Sequence, residues 1–126
     1  MKLFCKNNPY KRKHILIYGL GKSGIASKKF LESNGAKVWV YCDGDKIKFN
    51  FDNIDLVVVS PGVALDSPVC QEFIKRKIKI ISELELGYLN LNGKLVAITG
   101  TNGKTTTTAL VGKIIENENT FVAGNI

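Results

Sequence analysis

Three short segments of this 126-residue chain hold the residue types and spacing that handle phosphate. The first is Gly19-Leu20-Gly21-Lys22-Ser23-Gly24, a GxGxxG. Glycines so spaced permit a tight turn and a close approach of backbone to ligand. The helix behind them offers unpaired N–H groups and a partial positive charge to a phosphate or pyrophosphate. Asp43 stands at the end of the next apolar run, about where an acid reaches a ribose hydroxyl. Alone, a GxGxxG can be only a tight turn; between a strand and a helix, and upstream of a strand-end acid, it favours a nucleotide.

The second segment is Thr99-Gly100-Thr101-Asn102-Gly103-Lys104-Thr105-Thr106. It has the Gly-Lys-Thr end of a P-loop. In such a loop the backbone N–H groups of Gly100, Thr101, Asn102 and Gly103 cradle phosphates, Lys104 reaches the β- and γ-phosphates, and the Thr105 hydroxyl faces Mg²⁺. The strict spacing is not met, because Ile98 holds the place of the first glycine and Gly100 lies inside the loop. A Gly-Asn turn with a coincidental lysine leaves the run Thr105, Thr106, Thr107, Thr108 unexplained. Threonines at a helix start cap it and offer hydroxyls to metal and phosphate. The third segment, Ser60-Pro61-Gly62, is an ordinary turn by itself, but at a strand end it presents backbone N–H groups to the ligand of the first.

Those segments need elements to hold them. Apolar runs at 14–18 (HILIY), 37–42 (KVWVYC), 54–59 (IDLVVV), 78–82 (IKIIS), 94–99 (KLVAIT) and 121–123 predict strands. Helices are predicted at 25–33, with Ile25, Ala26, Phe30 and Leu31 on one side, and at 67–77, 83–91 and 105–116, with Leu84 as a core residue of the third. Residues 44–53 have no clear period and read as loop. Nearly all-apolar strands alternating with helices mean an α/β chain with a doubly wound parallel sheet.

Composition narrows the classes. The length fits one ordinary domain, and 44% hydrophobic residues argue against disorder. No apolar run approaches the ~20 residues of a membrane span. The basic start, residues 1–13, lacks a following apolar stretch and cleavage site, so no signal peptide is expected. Cys5, Cys42 and Cys70 are odd in number and scattered, which suits reduced thiols rather than a disulfide framework or a zinc site. The net charge of +7 is concentrated in Lys2, Lys6, Lys11, Arg12 and Lys13, which reads as a solvated leader. Aromatic residues do not interleave with basic ones as in a single-strand binder, so nucleic acid is not expected as a partner.

The segment TGTNGKTT resembles the ATP loop of the Mur ligase superfamily, the ATP-dependent amide-forming enzymes of peptidoglycan assembly and folate polyglutamylation. GLGKSGIA, VVVSPGVALDSP, ISELELGY and AGNI look like its D-glutamate-adding branch, in register and in order over nearly everything after the leader. The resemblance implies a cytoplasmic, monomeric full-length enzyme with three domains. Residues 14–91 would be its Rossmann-like UDP-sugar-binding domain, and 94–126 the first strand, P-loop, helix and strand of an incomplete central ATPase domain. It also implies ATP and Mg²⁺ as cofactors, and UDP-N-acetylmuramoyl-L-alanine and D-glutamate as substrates, with no membrane partner. Carried over by position, Gly19, Gly21, Lys22, Ser23, Asp43, Ser60, Pro61, Gly62 and Asn125 would hold the UDP-sugar. Gly100, Thr101, Asn102, Gly103, Lys104, Thr105 and Thr106 would bind ATP, with Lys104 and Thr105 catalytic and Thr105 on Mg²⁺.

The chain departs from the family in two places. Gly44 and Asp45 stand where a hydroxyl residue and a basic one often follow the acid, and the stretch from Asp43 to Ser60 is short. The expectation is a fragment, inactive as a ligase alone, in which residues 94–126 fall below the ~40 that normally bury a core unaided. A non-enzymatic nucleotide- or dinucleotide-binding module is the alternative. An NAD-dependent oxidoreductase leaves the second loop without a purpose, and His14, the one histidine, lies at the wrong end of the sheet and reads as an exposed leader residue. Glu83 and Glu85 read as solvated or helix-terminal charges, and Cys70 as a small core residue.

Overall fold

The computed structural model describes residues 8–124. The chain divides into two compact units, Met1–Leu91 and Asn92–Ile126.

The first unit is built on four parallel strands, β1 (His14–Tyr18), β2 (Lys37–Tyr41), β3 (Leu56–Val59) and β4 (Lys79–Ser82), in the order β2-β1-β3-β4. Tyr18, the last residue of β1, lies opposite Tyr41 on one side and Val59 on the other. Because side chains alternate along a strand, the central strands feed two cores. Leu16, Tyr18, Val57 and Val59 point to the face covered by α2 (Pro68–Lys75), where Cys70 and Phe73 are fully buried. Ile15, Ile17 and Val58 point to the opposite face with Leu31 of α1 (Lys22–Ser33) and Leu86 of α3 (Glu83–Leu89). The connections β1–α1–β2 and β3–α2–β4 run outward in opposite directions from the centre, so crossovers of one hand place α1 and α2 on opposite faces.

Local chemistry sets the ends of these helices. Ser67 accepts a hydrogen bond from the Cys70 amide, and Pro68 follows at the first helical position. Ser82 does the same for the Glu85 amide, a Ser-x-x-Glu start. Gly35, at φ +80°, carries the chain out of α1 and donates to the Glu32 carbonyl.

The connection from β2 to β3 crosses β1 with no α-helix, only a single 3₁₀ turn at Phe51–Asn53. Its aromatic side chains do the covering. Phe49 stacks on Phe73 at 6.0 Å, Phe51 tilts against Phe73 at 4.8 Å, and Tyr41 meets Phe49 edge-on at 6.2 Å. Arg76 lies over the Phe51 ring at 5.5 Å and pairs with Asp52 and Glu72, closing the cluster from outside.

Four details differ from the sequence reading. Leu84 is 83% exposed, and Leu86 is the residue of α3 that enters the core. Position 84 lies two residues before 86, about 200° around a helix, so the two cannot share a face. In α1 the buried residues are Gly24, Ser27 and Leu31, while Ile25 and Ala26 are exposed. Small side chains let α1 and α3 approach closely, which a larger face would prevent. The leader is part of the fold from residue 8. Lys11, Arg12 and Lys13 are exposed, but Tyr10 is buried, meets Phe30 edge-on and accepts a hydrogen bond from Asn90 at 2.6 Å. His14 is half-buried at the start of β1, its amide donating to Asp55.

The second unit contains α4 (Lys104–Ile114). The strands expected at 94–99 and 121–123 are not formed. A parallel strand exists only through hydrogen bonds to a neighbour, and neither segment is paired here; Leu95, Val96 and Phe121 are exposed. Val122 does pack on α4: a Cβ at Gly112 would fall 2.5 Å from its side chain, so only glycine admits it there.

Candidate functional site

In a doubly wound sheet the ligand crevice opens at the carboxyl ends of the strands, where the order reverses direction. Here that point lies between β1 and β3. The Gly19–Gly24 turn leaves β1 and the Ser60-Pro61-Gly62 turn leaves β3, so the two flank it. Their backbones are fixed by continuation of the ladder. The Gly19 amide donates to the Tyr41 carbonyl at 2.8 Å, the Ser60 amide to the Tyr18 carbonyl at 3.0 Å, and the Val63 amide closes the second turn on the Ser60 carbonyl at 3.0 Å.

The turns are joined by side chains. The Ser60 hydroxyl donates to Oε1 of Glu83 at 2.6 Å, and its oxygen lies 3.1 Å from the Gly19 carbonyl. The Ser23 hydroxyl donates to Oε2 of the same carboxylate. Glu83 is buried rather than solvated, while the other reading of it, a charge at a helix start, holds, since it is the first residue of α3. Its signal was present: the Ser82-x-x-Glu85 start puts residue 83 at the first position of a helix, directly after a strand end on the crevice side.

A second tie holds Asp43. The Tyr18 hydroxyl donates to Oδ1 of Asp43, so the last residue of β1 fixes the acid that follows β2. Burial first, and then that hydrogen bond, push the Tyr18 phenol up to about 12. It stays a neutral donor at any physiological pH. The neighbouring Asp45 accepts from the Cys42 amide at 3.0 Å.

The structure therefore brings Gly19, Ser23 and Ser60 together through Glu83, and ties Asp43 to the end of β1 through Tyr18. Lys22, Pro61 and Gly62 are exposed at the rim. A Cβ at Gly21 or Gly62 would point into open space, with nothing beyond the adjoining chain within 4 Å. The helix behind the first turn is preceded by Gly21, which has no side chain to cap it, leaving its first N–H groups for another acceptor. Asn125 lies outside the described residues.

Gly100, Thr101, Asn102, Gly103, Lys104, Thr105 and Thr106 belong to the second unit. Gly103, at φ +75°, opens α4 in the left-handed conformation and without a side-chain cap. Lys104, the first helical residue, turns its ammonium back to the Gly100 carbonyl at 2.5 Å. A glycine-opened helix start with a lysine folded over its loop fits a polyphosphate. Among the described residues no group of three or more His, Cys, Asp or Glu side chains could hold a metal ion, and none of the helices is long and apolar enough to cross a membrane.

No protein-family model matches the chain. Among curated proteins, it is 42% identical to the UDP-N-acetylmuramoylalanine–D-glutamate ligase of Lachnospira eligens, over 92% of the chain and 31% of the ligase. The ligases of the same name from Koribacter versatilis (39%, over 90% of the chain and 30% of the relative) and Caldicellulosiruptor saccharolyticus (41%, over 90% and 31%) match over a similar span. The chain is a homologue of these ligases. It spans about 31% of their length. The first alignment runs over 140 residues while using 92% of this 126-residue homologue, so the relative holds residues within the aligned stretch that this chain lacks.

Proposed function

We propose that this ligase homologue is the substrate-holding part of a UDP-N-acetylmuramoyl-L-alanine:D-glutamate ligase, a peptidoglycan precursor enzyme of the cytoplasm. Residues 14–91 are the UDP-sugar-binding domain and residues 94–126 the start of the ATP-binding domain. The observation that carries the reading is the meeting of the Gly19–Gly24 and Ser60-Pro61-Gly62 turns at the switch point of the sheet, in a homologue of these ligases. We place the residues lacking relative to those ligases in the β2–β3 connection; its single 3₁₀ turn and its covering of aromatic side chains support that.

In this reading Gly19, Gly21, Lys22, Ser23, Asp43, Ser60, Pro61, Gly62 and Asn125 form the UDP-sugar site. The backbone of the two turns faces the diphosphate, the charge of Lys22 balances it, and Asp43, held by Tyr18, meets a hydroxyl-bearing part of the nucleotide. A carboxylate is a poor electrophile until phosphorylated. The reaction of the whole enzyme transfers the γ-phosphoryl of ATP to the carboxylate of UDP-N-acetylmuramoyl-L-alanine. The amine of D-glutamate then displaces phosphate to form the amide. Bound ATP and Mg²⁺ supply the phosphoryl group and neutralise its charge. Lys104 offers its ammonium to that charge, Thr105 its hydroxyl to the metal, and the backbone of residues 100–106 its N–H groups.

The test is a titration of the chain with UDP-N-acetylmuramoyl-L-alanine followed by Trp39 fluorescence, with UDP and NAD as controls. Trp39 lies on β2, the strand that leads to Asp43. Saturable binding of the muramyl nucleotide and none of NAD is expected. No response, or a preference for NAD, replaces this reading with that of a nucleotide- or dinucleotide-binding module.

A further inference from the structure

We propose that Glu83 is a positioning residue of the nucleotide site, and that it leaves phosphate contact to the backbone N–H groups rather than to the hydroxyls of Ser23 and Ser60. The proposal rests on the nucleotide reading above.

Glu83 lies at the first position of α3, yet its side chain is buried and reaches both turns of the crevice. One oxygen takes the Ser23 hydroxyl and the other the Ser60 hydroxyl. A Cβ at Gly24 would fall 2.5 Å from the Gly19 carbonyl, so the third glycine of the GxGxxG is what lets the first turn close on α1. The same Cβ would stand 3.2 Å from Oε1 of Glu83, so the carboxylate lies close against that helix turn.

The consequence follows from counting hydrogens. A serine hydroxyl has one to donate. Ser23 gives its hydrogen to Glu83, and Ser60 directs its own to the shorter, charge-assisted contact at 2.6 Å rather than to the Gly19 carbonyl at 3.1 Å. Both hydroxyls then face a ligand as acceptors only. A phosphate oxygen is also an acceptor, so neither serine side chain serves it. What remains for a phosphate is the uncapped start of α1 and the turn at Gly62, where a Cβ would meet only open space. Glu83 holds that backbone in place by clamping α1 and the β3 turn to α3.

The test uses the full chain and three variants: Glu83→Ala, Glu83→Gln, and Ser23→Ala with Ser60→Ala. Amide hydrogen exchange is measured without ligand at Ile25 and Val63, whose amides close the two turns on the Gly21 and Ser60 carbonyls, and UDP-N-acetylmuramoyl-L-alanine is titrated. Glu83→Ala is expected to raise exchange at both turns while β1 and β3 keep their protection, and to weaken binding about tenfold. Glu83→Gln keeps an acceptor and should stay within about threefold of the original chain. The double serine variant should match Glu83→Ala, since it cuts the same ties. Unchanged exchange at the turns in Glu83→Ala overturns the proposal. So does a double serine variant that loses affinity when Glu83→Ala does not, because the hydroxyls then touch the ligand. If Glu83→Ala fails to fold, unchanged exchange in the double serine variant overturns it equally. Should the unmodified chain ignore the sugar nucleotide, the nucleotide reading fails, while exchange still decides whether Glu83 ties the turns.

Discussion

Gly19 and Ser60 touch where two strands end: a Cβ on Gly19 would stand 2.8 Å from both Cβ and Oγ of Ser60. Gly19 also has φ +96°, a conformation that L side chains rarely adopt. Gly19→Ala therefore meets strain and a clash together. A loss of about 1–3 kcal/mol in urea-unfolding stability is expected. A change within error would show that the β3 turn moves aside freely.

Tyr18 makes stability depend on alkaline pH. Its phenol, raised from 10.0 to about 12 by burial and by the bond to Asp43, favours the fold while protonated. That contribution is fully present below pH 10 and is lost as pH rises through 12. Urea midpoints measured across that window should fall for the original chain and fall less for Tyr18→Phe. Parallel curves would remove Tyr18 as the source.

Phe73 is fully buried and carries the aromatic cover over the sheet face crossed by the β2–β3 connection. Phe73→Ala should cost about 3–5 kcal/mol. For a domain of this size that is most of the available stability, so the variant is expected to melt near room temperature by circular dichroism. A melt close to that of the original chain would mean that Phe49 and Phe51 collapse into the space.

Residues 94–99 have strand composition and no strand partner in the second unit. Their amides should exchange fast, while Ile15, Leu16 and Ile17, in the centre of the sheet, exchange slowly. Protection of Val96 equal to that of Leu16 would show that this segment is paired after all.

The apolar runs of β1 and β3 were legible because central strands buried on both faces are nearly continuous in hydrophobic residues. Those of the half-buried edge strands β2 and β4 were legible because each is short, apolar and bounded by turn residues. Ser67-Pro68 and Ser82-x-x-Glu85 gave the starts of α2 and α3 through capping, which is local chemistry. The Gly19–Gly24 and Ser60–Gly62 turns were legible for the same reason, since each is defined by its own residues. Helix faces were less so. Leu84 and Leu86 are equally apolar in the sequence, and only the direction from which α3 meets the sheet selects Leu86.

Glu83 is the sharpest case. In sequence it is one of two acids in a short helix, and a carboxylate is normally solvated. Its partners, Ser23 and Ser60, lie 60 and 23 residues away. The strand at 94–99 fails in the opposite way, with the right composition and no neighbour. The sequence alone determined what depends on a residue and the few beside it: strands, caps and phosphate-type turns. The tertiary structure decided what depends on partners distant in the chain, namely which acid is buried, which hydroxyls are already engaged and which apolar run becomes a strand. Hydrogen bonds and packing across a sheet are made between residues that the chain order does not place together.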